Sequence, residues 1–227
     1  MDRVPITHEF GRVLAANFHH FEILRDIMRP TLSEWKGCGS YLIDGGESME
    51  YDPSMYGKQC SLYDCAKAAG HAFEIGVHGG HSLLIMLLAD AKLKITCVDI
   101  CAWSHTEKCV KYLNSAFGDR ITFWKGDTLT TLPAIVDNGG AERWDLIHID
   151  GSHDIDVIRE EFELVRRRAT PGATVVVFDD YSAPGLADQI TIAWRDELDV
   201  LRVPDSAHTH CVARLTRFSR ANENKQT

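Results

Sequence analysis

The sequence predicts an α/β domain organised on a doubly wound, parallel sheet with helices on both faces. Three observations carry that prediction. Short apolar runs recur at 71–77, 94–100, 121–126, 144–150 and 173–179. Stretches long enough for helices separate them, at 81–91, about 104–117, about 128–138 and 154–168. Glycines and acids close the runs: Gly76, Asp99, Asp127, Asp150 and Asp179. Buried strands alternating with helices form parallel sheets covered on both faces. Ligands in such sheets meet the carboxyl ends of the strands.

The 227 residues suffice for one domain with a good core. A net charge of −9 argues against a nucleic-acid binder, which needs a basic face. No apolar run approaches the roughly 20 residues of a membrane span. The start, MDRVPITHEFGR, lacks the apolar core of a signal peptide. The seven cysteines (38, 60, 65, 97, 101, 109, 211) are odd in number and contain no C-x-x-C. They read as free thiols of a cytoplasmic protein rather than disulfides or zinc ligands.

Taken in order, residues 8–29 space Phe10, Val13, Leu14, Phe21, Leu24, Ile27 and Met28 as one amphipathic helix ending before Pro30. It is expected to cap the main domain or to meet a second subunit in a homodimer. Residues 37–57, rich in Gly, Ser, Asp and Tyr, read as a long loop of the kind that forms lids. Residues 58–70 return to helix. After the five strands come a helix at 185–196 and weaker strands near 198–203 and 209–215. The tail from Ser219 is polar. The chain therefore divides into an N-terminal helix and lid (1–57), a main domain (58–218) and a tail (219–227).

The organising stretch is Phe73-Glu74-Ile75-Gly76-Val77-His78-Gly79-Gly80-His81-Ser82, a strand, a glycine turn and a helix start. Glycines let a ligand approach the backbone. The free N–H groups of the helix start attract an anion. A dinucleotide fingerprint would need glycines at 76, 78 and 81, but His78 and His81 stand at two of them. What remains is an acid (Glu74), Gly76 and Gly80. An acid suits an amine and a helix start suits a carboxylate, so the ligand end is amino-acid-like.

This E-x-G-x-x-x-G pattern resembles motif I of the class I S-adenosylmethionine-dependent methyltransferases. The resemblance implies a Rossmann-like seven-stranded sheet whose last strand is antiparallel, plus the N-terminal helical cap. It implies S-adenosylmethionine as cofactor, held by Glu74, Gly76, Gly80 and Ser82. Asp99, about 20 residues beyond the glycine turn, matches the acid that accepts the ribose hydroxyls. Asp127 matches the position that meets the adenine amine. Each acid could alternatively cap a helix. Trp103 could stack on adenine or belong to the core.

Strand four ends His148-Ile149-Asp150-Gly151-Ser152-His153 and strand five ends Phe178-Asp179-Asp180-Tyr181. Neighbouring strand ends bring Asp150, Asp179 and Asp180 together. Three carboxylates repel unless protonated or bridged by a cation, and oxygen ligands suit a hard ion, Mg²⁺ by preference. Ser152, Asp154 and Asp180 could equally cap turns or helices.

The D-G-S-H and F-D-D-Y spacing resembles metal-dependent small-molecule O-methyltransferases, both catechol O-methyltransferase-like and antibiotic-sugar enzymes of the macrocin type. The resemblance spans roughly residues 55–182. It makes His153 the general base, taking a proton from a hydroxyl acidified by the ion. The alternative is a helix-start residue. Tyr56-Gly57-Lys58-Gln59 resembles the segment over the cofactor's methionine end, so Tyr56 and Lys58 are candidate walls of the methyl-transfer site. His78 and His81 are given no catalytic role, and His208 and His210 read as decorating a strand face.

The expected activity is Mg²⁺-assisted methyl transfer to a hydroxyl of a small molecule, a sugar or a catechol, with Asp150 and His153 catalytic. One rival is a metal-independent carboxyl or phenol O-methyltransferase. A second is a methyltransferase-fold protein with another role, such as hydroxylation in an antibiotic pathway.

Overall fold

Seven strands form one sheet in the order β3-β2-β1-β4-β5-β7-β6. They are β1 (His71–Ile75), β2 (Lys94–Asp99), β3 (Ile121–Lys125), β4 (Leu146–Ile149), β5 (Val175–Phe178), β6 (Leu198–Arg202) and β7 (Cys211–Leu215). The structure is a computed structural model, and it describes residues 4–138 and 142–218. The expected tail from Ser219 lies outside the described residues. β1 to β5 pair in parallel, and β7 inserts antiparallel between β5 and β6. The sequence order reverses between β1 and β4, the crevice where parallel sheets bind ligands.

Strand alternation divides the core in two. Ala72, Ile95, Leu146 and Val177 face one layer of helices, and Phe73, Val98, Ile147 and Val176 face the other. The first layer holds α1 (Glu9–Ala16), α2 (Phe18–Met28), α3 (Leu32–Trp35), α4 (Tyr56–Lys67), α5 (His81–Ala89) and α6 (Thr106–Ala116). The second holds α7 (Thr128–Asn138), α8 (Ile155–Val165) and α9 (Leu186–Asp188), which continues as a π-turn over Gln189–Ala193.

One expectation is corrected here. Residues 8–29 form two helices, because Asn17 ends the first: its backbone N–H bonds Leu14 O and Val13 O, and its side-chain amide donates to Val13 O. Both helices bury Phe10, Leu14, Phe21, Leu24 and Met28 against their own domain. The segment 37–57 is largely irregular, as expected, and packs into the core. Tyr41, Leu42, Ile43, Met49, Tyr51 and Met55 are all buried. Gln59 of α4 donates to Tyr41 O (2.7 Å) and Asp52 O (3.2 Å), and Tyr51 donates to Gln59 Oε1 (2.6 Å). Buried backbone groups need such partners, and one glutamine supplies several. All seven cysteines are free. Among the described residues no helix is long and apolar enough to cross a membrane.

Candidate active site

A cavity of about 660 Å³ opens at the carboxyl ends of β1, β2, β4 and β5. Gly76, Ser82, Asp99, Asp127, Lys58, Asp150, His153, Asp179 and Asp180 line it. Glycine is required at 76. Its φ is +82°, and a Cβ there would lie 2.0 Å from Asp150 O. The β1 turn and the β4 turn thus touch through backbone alone. Gly80, at φ +75°, is the left-handed N-cap of α5, and a Cβ would meet Leu113 Cδ1 at 2.9 Å.

Asp99 builds the turn it faces. Its Oδ2 accepts from Val77 N (2.7 Å) and His78 N (3.0 Å), and its Oδ1 accepts from Cys101 N (2.6 Å). Both amides belong to the turn before α5, so the amides at the start of α5 are not engaged by Asp99. Oδ2 is saturated by its two amides, and Oδ1 keeps a second lone pair for a hydroxyl in the cavity. Asp127 Oδ1 caps α7 by accepting from Thr130 N at 3.2 Å.

Two cofactor candidates, Glu74 and Tyr56, do not line the cavity, and a third, Lys58, does. Glu74 does not line the cavity: it is fully buried, and its Oε1 bonds His148 Nδ1 at 2.8 Å. The cause is register, since Glu74 and His148 are partners across β1 and β4 and point to the same face. Tyr56 lies behind the wall, with its hydroxyl accepting from His8 N at 3.2 Å. Lys58 lines the cavity but at the acid cluster: its Nζ donates to Asp179 Oδ2 at 2.8 Å and stands 4.2 Å above the Tyr41 ring.

Asp150, Asp179 and Asp180 each offer a carboxylate oxygen within 4.8 Å of the others. Burial, then the Asp179 charge, pushes Asp150 well above the usual carboxylate range. Burial pushes Asp179 up as well, but the Lys58 charge and its hydrogen bond outweigh it and the net direction is down. Asp180 is raised, by burial and then Asp179. Its Oδ2 pairs with Nε2 of the largely exposed His153 at 2.7 Å. The donor set is the hard, all-oxygen kind that fits a divalent cation, and Lys58 already compensates one of its three charges.

A buried polar chain backs the cluster. Arg202 Nε donates to Ser61 Oγ (2.9 Å), and Ser61 Oγ bonds His210 Nε2 (2.9 Å). His210 Nδ1 meets the Tyr41 hydroxyl (3.0 Å), which meets His148 Nε2 (2.8 Å), and His148 Nδ1 meets Glu74. One proton assignment satisfies every link, each group donating toward Glu74. Burial holds His210 down to about 3, so it is neutral as that assignment requires. Sequence reasoning missed Tyr41, His148 and His210. A strand histidine at 148 beside a strand glutamate at 74 was the available signal. His81 packs against Phe21, while His78, Trp103 and His208 line the cavity.

Residues 73–181 match a protein-family model described as a methyltransferase domain. No curated protein matches the chain in sequence. Solved structures with this fold include the O-methyltransferase from Bacillus cereus in complex with S-adenosylhomocysteine, at 16% identity and TM-score 0.63 over 86% of this chain and 91% of that one. The O-methyltransferase TomG from Streptomyces achromogenes, involved in tomaymycin synthesis and in complex with S-adenosylmethionine, has 16% identity and TM-score 0.62 over 87% and 90%. CalS11, a TDP-rhamnose 3'-O-methyltransferase of calicheamicin biosynthesis, has 16% identity and TM-score 0.54 over 69% and 76%. At such identities the likeness establishes the fold.

Proposed function

We propose that this chain, which carries a methyltransferase domain and resembles the S-adenosylmethionine-dependent O-methyltransferases, methylates a hydroxyl of a small molecule with the help of a divalent cation. The observation that carries this reading is one cavity with two chemically distinct ends. The glycine turn, Asp99 and Asp127 form the end that fits the cofactor. Asp150, Asp179 and Asp180 form the end that fits the ion. Bound there, the cofactor would supply an activated methyl group and the cation would make an acceptor hydroxyl more acidic.

The chain's own residues do the rest. Asp99 presents the remaining lone pair of Oδ1 to a ribose hydroxyl. Asp180 orients His153 through Nε2, and His153, at the exposed rim, takes the acceptor's proton. Lys58 holds Asp179 in place, so the acceptor is aligned against a fixed wall. Two oxygens of a vicinal diol would match a cation held on carboxylates, which favours a sugar or catechol. The packed segment 37–57 supplies the wall that selects among them. A net charge of −9 disfavours a polyanionic acceptor, and free thiols suit the cytoplasm.

One observation favours a second reading. The buried Lys58–Asp179 pair supplies a positive charge without any ion, as a metal-independent O-methyltransferase would need. Calorimetric titration of S-adenosylmethionine and S-adenosylhomocysteine, with Mg²⁺ and with EDTA, separates the two. Micromolar binding of both, followed by a Mg²⁺-binding heat in the loaded protein, supports the first reading. Cofactor binding without that heat supports the second, and no cofactor binding removes both.

A further inference from the structure

Glu161 of α8 is 1% exposed and lines the cavity beside Asp127 and Thr128. Thr128 Oγ1 donates to its Oε1 at 2.6 Å. Its Oε2 is buried without a hydrogen-bond partner among the described residues. A buried acid with one bonded and one orphaned oxygen is costly unless something meets the orphan.

The surroundings decide its protonation. Asp127 faces it from the β3–α7 turn, Thr128 from the start of α7, and the β4 turn contributes only the uncharged Gly151. Burial, with Asp127 adding to it, pushes Glu161 up to about 7. In the neutral form the Thr128-bonded Oε1 is the carbonyl oxygen and Oε2 carries the proton. Glu161 then holds a donor, Oε2–H, buried just behind the part of the wall where the Asp127 carboxylate is an acceptor. Adenine presents the complement along one edge: an exocyclic amine that donates and a ring nitrogen that accepts. A 6-oxo purine inverts both.

We propose that Glu161 reads the cofactor's adenine ring, donating from Oε2 to the ring nitrogen next to the amine that Asp127 accepts. This rests on the cofactor reading above and adds to it a residue that selects the base.

The test is calorimetric titration of S-adenosylhomocysteine and its 6-oxo analogue, S-inosylhomocysteine, into the wild-type chain, Glu161→Gln and Glu161→Ala, at about pH 6 and about pH 8.5. The wild-type chain should prefer the adenosine compound and bind it roughly tenfold or more tightly at the lower pH. Glu161→Gln keeps both a donor and an acceptor, so it should retain affinity and preference while losing the pH dependence. Glu161→Ala should lose roughly tenfold in affinity and most of the preference. Should the alanine variant fail to fold, the glutamine variant and the wild-type pH profile still decide. Wild-type affinity that is flat with pH, or a Glu161→Gln profile as steep as wild type, would overturn the inference while the cofactor reading stands. Wild-type binding of neither compound at either pH would overturn the cofactor reading and this inference with it.

Discussion

Lys58 and Asp179 form a buried ion pair, Nζ to Oδ2 at 2.8 Å, across 121 residues of chain. The pair ties the N-terminal end of α4 to the end of β5, and through Tyr41 it ties both to the segment that walls the cavity. It also fixes the electrostatic state of the acid cluster. Asp179 is held charged by Lys58, so Asp150 beside it bears the strain.

Lys58→Met should therefore be costly. Removing one member of a buried pair leaves an uncompensated charge, typically about 3–5 kcal/mol. Chemical denaturation should report a loss of that order, and added Mg²⁺ should restore part of it if a cation takes the vacated role. Unchanged stability would mean that Lys58 does not neutralise the cluster.

Asp150→Asn should behave in the opposite way on folding. The substitution removes a carboxylate destabilised by burial and by Asp179, so stability should hold or rise. Turnover should fall by roughly a hundredfold or more, as expected when a group serving the reaction is lost, with cofactor affinity little changed. Wild-type turnover in this variant would eliminate the cation-assisted reading.

His153→Ala separates chemistry from structure. The side chain is 74% exposed and pairs only at the rim with Asp180, so stability should change by no more than about 0.5 kcal/mol. The methylation rate should drop by roughly a hundredfold, the scale of lost general-base help, and recover partly at higher pH. A full rate at every pH would remove His153 as the base.

Glu161 gives a stability signature independent of any ligand. Its pKa is about 7 in the folded protein against an ordinary 4.5. A raised pKa means the folded state holds the proton more tightly. Its contribution is present below about pH 4.5 and is lost as pH rises through about 7, at most about 3 kcal/mol. Unfolding of wild type and Glu161→Gln by denaturant should show the gap between them shift by that order across the window. Parallel profiles would show that Glu161 titrates normally.

The residues alone determined the alternation of strand and helix, the place of the glycine turn and the meeting of Asp150, Asp179 and Asp180. These follow from local periodicity and from one rule, that parallel strands deliver their carboxyl ends to one edge. Match of residues 73–181 to a methyltransferase domain falls on the same stretch. Only the tertiary structure decided what those acids meet. Glu74 turned from the cavity because strand register paired it with His148, and Lys58 paired with Asp179 in the cavity lining. Tyr41 reached the site from a segment that carries no periodic signal, His210 from the entry to β7 was buried against it, and Glu161 kept one buried oxygen unpaired beside the cavity. Periodicity reports which face of an element is buried. The partner found there depends on packing between elements distant in sequence, and pairing of buried charges is settled at that level.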